Sequence, residues 1–172
     1  MSVDVSRRIV LLRHAKADWP DGADHDRPLA ERGRKDALVA GDWLAARRIN
    51  FDLTLCSTAV RTRETWKLVV SRLEHRPKTV YEDRLYEASP GEIIAVLNEL
   101  PEDCAELLVV GHNPGIQGVA EVLTGAAEPE AATHMERLGF PTSAVAVLAF
   151  DGDWKALQPG SARLTEHWAP HE

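Results

Sequence analysis

The 172-residue sequence is 44% hydrophobic and carries 20 Lys and Arg against 27 Asp and Glu, a formal net charge of -7. This length and apolar content fit one compact domain, residues 1–172, with a substantial core, and they exclude a disordered chain. The acidic balance argues against nucleic acid as a partner, because such binders carry surplus cations to neutralise phosphates.

No apolar run approaches the roughly 20 residues that cross a bilayer, so no membrane partner is expected. Cys56 and Cys104 stand far apart without metal-type spacing, and no N-terminal stretch has signal-peptide form, which together point to a cytoplasmic protein. Charge is unevenly spread. Residues 7 to 35 hold eight Lys or Arg against five acids, whereas residues 82 to 106 hold eight acids with Arg84 as their one cation. A local basic site for a small anion is therefore compatible with an acidic protein.

In chain order, RIVLLRH (8 to 14) reads as a strand buried on both faces, since it lacks the alternation of a half-exposed one. A loop follows, marked by Pro20, Asp21, Gly22 and Pro28. From Glu31 to Arg47, Ala37, Leu38, Gly41, Leu44 and Ala45 recur at helical spacing. FDLTLCS (51 to 57) is a second strand, followed by a helix lined by Ala59, Thr62, Trp66, Val69, Val70 and Leu73. KTVYE is a short strand candidate. Ser89 and Pro90 predict the N-cap and first residue of a helix carrying Ile93, Ile94, Val96, Leu97 and Leu100. ELLVVGH (106 to 112) is another buried strand, and GIQGVAEVLTG (115 to 125) a helix closed by glycine. SAVAVLAF, Asp-Gly and DWKAL then predict a tight hairpin. Alternating strands and helices imply a three-layer α/β/α sandwich with a mostly parallel sheet and an antiparallel edge.

In such a sheet the functional crevice lies beyond the carboxyl ends of the strands. Three ends carry chemistry here. The first strand finishes on Arg13 and His14, the second runs through Ser57 into a helix bearing Arg61, and the strand at 106 to 112 finishes on His112 before Asn113. Arginine presents a charged planar fork that matches phosphate oxygens, and imidazole is either nucleophilic or donating near neutral pH. The set suits a phosphoryl dianion. Asn113 and Gly115 add a helix start whose backbone N–H groups favour anions.

LLRHAKADW, DRPLAERGRKDA, CSTAVRTRET and VVGHNPG, in that order, resemble the elements of the histidine phosphatase superfamily, the phosphoglycerate-mutase-like fold. The resemblance covers most of the chain. Ala15 where glycine is commoner, GHNP and the short length look most similar to the SixA-type phosphohistidine phosphatase branch. It implies that His14 attacks phosphorus, that Arg13, Arg61 and His112 bind the phosphoryl oxygens, and that neither metal nor cofactor takes part. LYE (85 to 87) resembles the element that supplies a general acid, which makes Glu87 the candidate proton donor, with Asp18 as an alternative. Ser57 and Asn113 are candidate substrate-binding residues, Ser57 alternatively capping the next helix. Protein phosphohistidine is the leading substrate, a small phosphorylated metabolite the second. The compact chain favours hydrolysis over mutase action. A non-catalytic phosphate-binding module is the reading from another class.

Asp24, His25 and Asp26 have metal-capable side chains, but nothing accompanies them at ligand spacing, so a polar loop is expected, braced by Asp26, Arg27 and Pro28. Trp19 is placed to wall a substrate entrance. Cys56 is expected to pack in its strand, and His167 and His171 to be incidental. Specificity is assigned to loops around 15 to 28 and 126 to 142. Oligomeric state is left open.

Overall fold

In the computed structural model, which describes residues 5–171, the first strand β1 (Ser6–Arg13) buries Ile9, Val10, Leu11 and Leu12 completely. Side chains alternate across a strand, so this unbroken apolar run requires cover on both faces. Ile9 and Leu11 join the core beneath helices α3 (Pro90–Asn98), α4 (Gly115–Leu123) and α5 (Pro129–Leu138). Val10 and Leu12 join the opposite core, beneath α1 (Glu31–Ala46) and α2 (Val60–Val70). Burial of each such side chain contributes about 1.5–3 kcal/mol, so β1 anchors both layers.

The other strands are β2 (Leu53–Cys56), β3 (Lys78–Tyr81), β4 (Glu106–Gly111), β5 (Thr124–Ala127), β6 (Val145–Asp151) and β7 (Ala162–Trp168). They form one seven-stranded sheet in the order β3-β2-β4-β1-β6-β7-β5. β1, β2, β3 and β4 run parallel, and β6 lies antiparallel to both β1 and β7. The sheet is mixed, and its antiparallel member is interior, with β7 and β5 beyond it.

Three sequence expectations are corrected. The segment 153 to 157 is not a returning strand: Trp154–Ala156 is a 3-10 turn, and the chain returns later, as β7. Trp154 is 1% exposed and donates its indole N–H to the Cys104 carbonyl, while the Asn98 amide donates to the carbonyls of Trp154 and Leu157. These bonds hold the segment against the core, away from the β6 ladder. The region 126 to 142 is likewise mostly the helix α5. Gly125 does not close α4, which ends at Leu123; it lies in β5, where a Cβ would meet the Gly160 carbonyl at 2.0 Å. Among the described residues no helix is long and apolar enough to cross a membrane.

Candidate active site

Sheet register assembles the site. Parallel pairing sets Arg13 opposite Gly111 and Cys56 opposite Val110, so the residues that follow three strands leave the sheet side by side. The backbone N–H of His14 donates to the Gly111 carbonyl at 3.0 Å and that of Ser57 to the Val110 carbonyl at 3.0 Å. Ser143 closes the other side, its N–H reaching the carbonyls of Arg13 at 3.2 Å and His14 at 3.1 Å. The rings of His14 and His112 consequently lie 5.3 Å apart.

His14 is 8% exposed, and its Nδ1 lies 2.7 Å from the Ala15 carbonyl. A carbonyl only accepts, so the proton sits on Nδ1 and Nε2 carries the lone pair. Burial is the main cause that pushes the His14 pKa down to about 4; the charges of Arg13, Arg61 and Arg27 act in the same direction, against the Ala15 bond. The ring is neutral at pH 7.

Arg13 donates through Nη1 to the Phe140 carbonyl at 2.9 Å, and burial lowers its pKa. Arg61, on the first turn of α2, is 6% exposed and donates to the Asp24 carbonyl at 2.8 Å and the Asp24 carboxylate at 3.1 Å. His112 places Nε2 2.8 Å from the Ser57 hydroxyl, and its pKa falls to about 3, first through burial and then through His14 and Arg61. Among the described residues, the Nε atoms of both arginines and Nδ1 of His112 are buried without a hydrogen-bond partner. Buried polar groups are nearly always paired, so unpaired donors on Arg13 and Arg61, whose charges act on His14, and an unpaired nitrogen on the His112 ring beside it suit an anion.

Three participants were not anticipated. Asp24 clamps Arg61, accepts from Arg27 Nη1 at 3.2 Å, and takes the Tyr86 hydroxyl. Its carboxyl is held well below the usual range, first by Tyr86 and then by Arg27 and Arg61, while Asp24 in turn raises the Tyr86 pKa. Tyr86 also sets its ring edge-on to His112 at 5.5 Å. The third participant is the Phe140 carbonyl, shared by Arg13 and the Asn113 amide, each at 2.9 Å. The acidic loop residues gave one usable signal, an aspartate close in sequence to Arg27. A backbone carbonyl gives none.

The remaining candidates lie differently. Asn113 Oδ1 accepts from the Gln117 N–H at 3.1 Å, so this amide is engaged at both ends, in the start of α4 and on Phe140. Ser57 is fully buried and reaches His112 rather than capping α2. Glu87 is exposed, takes a left-handed φ of 56°, and forms no hydrogen bond or ion pair among the described residues. Asp18 is exposed, with only its backbone bonded, to Pro28 and Arg27. Trp19 is 80% exposed, with the Arg27 guanidinium stacked 3.2 Å from its ring centroid. Asp24, His25 and Asp26 do not converge: His25 turns to Thr58 at 3.0 Å, while Asp24 serves the arginines. Cys56 is buried and its thiol is pushed up to about 12 by that burial, in keeping with a packing role. His171 is not incidental, since its Nε2 pairs with Asp36 at 2.9 Å, and His167 bonds His134 at 2.7 Å.

Residues 9–103 match the model of the histidine phosphatase superfamily, branch 1. An uncharacterized protein of Mycobacterium tuberculosis (strain ATCC 25618 / H37Rv) is 43% identical over 162 residues, covering 92% of this chain and 99% of that one. A structure provisionally named the phosphohistidine phosphatase SixA of Nakamurella multipartitia superposes with a TM-score of 0.83 at 34% identity, over 97% of this chain and 98% of that one. Its counterpart from Agrobacterium tumefaciens, also provisionally named, gives 0.79 at 33% identity, over 95% and 98%.

Proposed function

Because this chain belongs to the histidine phosphatase superfamily, we propose that it is a metal-independent phosphatase that moves the phosphoryl group of a partner protein's phosphohistidine onto His14 and then onto water. In the first step His14 Nε2 bonds to phosphorus as the P–N bond to the leaving imidazole breaks. In the second, a water oxygen bonds to phosphorus, the P–Nε2 bond breaks, and phosphate departs. Splitting the transfer this way replaces one difficult displacement by two easier ones.

The observation that carries this reading is the orientation of His14: Nδ1–H is tied to Ala15 and Nε2 is left as the nucleophile, in a ring kept neutral by burial and nearby guanidinium groups. Arg13, Arg61 and His112 bracket it and stabilise charge on the transferring oxygens, positional and electrostatic catalysis that suits phosphoryl transfer. The choice of a P–N substrate draws support from Glu87. Its exposed carboxylate is held by no hydrogen bond or ion pair among the described residues, and a leaving imidazole needs less help from an acid than an alkoxide does. The likeness to proteins provisionally named phosphohistidine phosphatases supports the same choice. For alkyl phosphates Glu87 is the assigned proton donor. The two buried, unbridged thiols are in keeping with a reducing cytoplasm.

Radiolabelled phosphohistidine protein, mixed with the purified chain and quenched in alkali, tests this directly. Label is expected on residue 14, and His14→Ala is expected to lose about 10⁴-fold or more of turnover. Undiminished turnover by that variant, or label that never reaches the chain, overturns the mechanism. Faster hydrolysis of small phosphomonoesters than of phosphohistidine protein, by kcat/KM, reassigns the substrate class.

A further inference from the structure

Ser57 is 0% exposed, and among the described residues its Oγ has one hydrogen-bond partner, His112 Nε2 at 2.8 Å. Two proton arrangements fit that distance. If His112 donated from Nε2–H, the serine proton would have no acceptor and Nδ1 of the ring would be a bare lone pair, leaving two buried groups unsatisfied. If Ser57 donates, Nε2 is satisfied and one group remains, an Nδ1–H. Each unpaired buried polar group costs about 1–3 kcal/mol, so the second arrangement wins. No proton on oxygen competes for Ser57, because Thr62 directs its own hydroxyl to the backbone carbonyls of Ser57 and Ala59, both at 2.8 Å.

We propose that Ser57 is a positioning residue that fixes the tautomer of His112, so that the ring offers Nδ1–H as its donor to the phosphoryl oxygens. The last step, donation to a phosphoryl oxygen, rests on the phosphatase reading above; the tautomer does not. In the opposite tautomer His112 would turn a lone pair toward an anion and repel it. Ser57 thereby raises the rate without touching the substrate, acting as a buried orienting group does for a histidine elsewhere in enzyme chemistry.

Long-range ¹H–¹⁵N correlation on the full chain labelled at histidine reads the tautomer, with the His112 signal assigned by its loss in His112→Ala. The wild type is expected to carry its proton on Nδ1, and Ser57→Ala to shift population toward Nε2–H. Hydrolysis of p-nitrophenyl phosphate is expected to fall about 10–100-fold in kcat/KM for Ser57→Ala and to recover to within about fivefold in Ser57→Thr, which keeps the hydroxyl. In the His112→Ala background, Ser57→Ala is expected to have no further effect, because both changes remove one interaction. An Nε2–H tautomer in the wild type, or losses that multiply independently, overturns the proposal. A wild type that shows the Nδ1–H tautomer yet hydrolyses no phosphate ester or phosphohistidine overturns the phosphatase reading and leaves the tautomer assignment intact.

Discussion

Strand β1 carries Arg7 and Arg8 near its start and Arg13 at its end, and Arg7 and Arg13 are used in opposite ways. Arg7 is 3% exposed and donates to the carbonyls of Gly152 at 2.6 Å, Glu102 at 2.9 Å and Cys104, with its guanidinium 5.5 Å from the Trp154 ring centroid. Arg13, six residues along, spends Nη1 on Phe140 and leaves a buried Nε without a partner. Arg61 beside it also keeps an unpaired Nε. Burial alone therefore does not separate a staple from a working group; the fraction of donors already committed does.

The contrast breaks if the two ends respond alike to truncation. Arg61→Ala is expected to lower kcat/KM for an aryl phosphate by about 10²–10³-fold, since donors aimed at developing charge act in the transition state, with a smaller fall in Tm than Arg7→Ala gives, from the two bonds to Asp24 that it removes. Arg7→Ala is expected to do the reverse. Three carbonyls lose a charged donor at a cost of about 3 kcal/mol, which for a chain of this size lowers Tm by roughly 6–12 °C, while kcat/KM at 20 °C stays within about twofold.

Acid sharpens the comparison. His14 and His112 sit near 4 and 3 against an ordinary 6.5, so both stay neutral in the folded chain while an unfolded chain protonates near 6.5. A depressed folded pKa on a base means that stability is full above 6.5 and is lost as pH falls toward 4. His112→Asn is expected to reduce that loss, read as Tm against pH, whereas Arg7→Ala is expected to lower Tm by a similar amount across the range. In the wild type, kcat/KM for a substrate of constant charge is expected to be level from pH 8 to about 5 and to fall below about 4 as His14 protonates. The smallest effect expected is that of Tyr86→Phe. It removes one donor from Asp24 but leaves both arginines on it, so kcat/KM falls about threefold and Tm moves by no more than about 3 °C.

Much of this site was legible because strand ends announce themselves: an apolar run that stops on a charged or titratable residue marks where a sheet meets solvent or ligand. Arg13, His14 and His112 followed from that pattern, whereas Arg61, on the first turn of α2, was marked by its place four residues after Ser57 and by the resemblance that CSTAVRTRET carries. Asp24 and Tyr86 followed from neither, since their roles depend on how a loop and a 3-10 turn fold back over Arg61, which no local periodicity encodes. The helix α5 escaped because its stripe is thin, with Ala131 and Met135 as its buried residues; Pro129 at its start and Gly139 at its end were the readable signals. The false hairpin came from weighing an Asp-Gly pair above the pull of Trp154 toward the core. Local turn chemistry lost to tertiary burial there.

The Phe140 carbonyl joins two parts of the machinery that enter from different strands, Arg13 from β1 and Asn113 from β4. One oxygen is thus a common bearing for a phosphate-facing cation and for the loop that carries the second histidine. Relatives that alter the length or composition of the stretch between α5 and β6 would retune both together, with no substitution at any residue that meets the phosphoryl group.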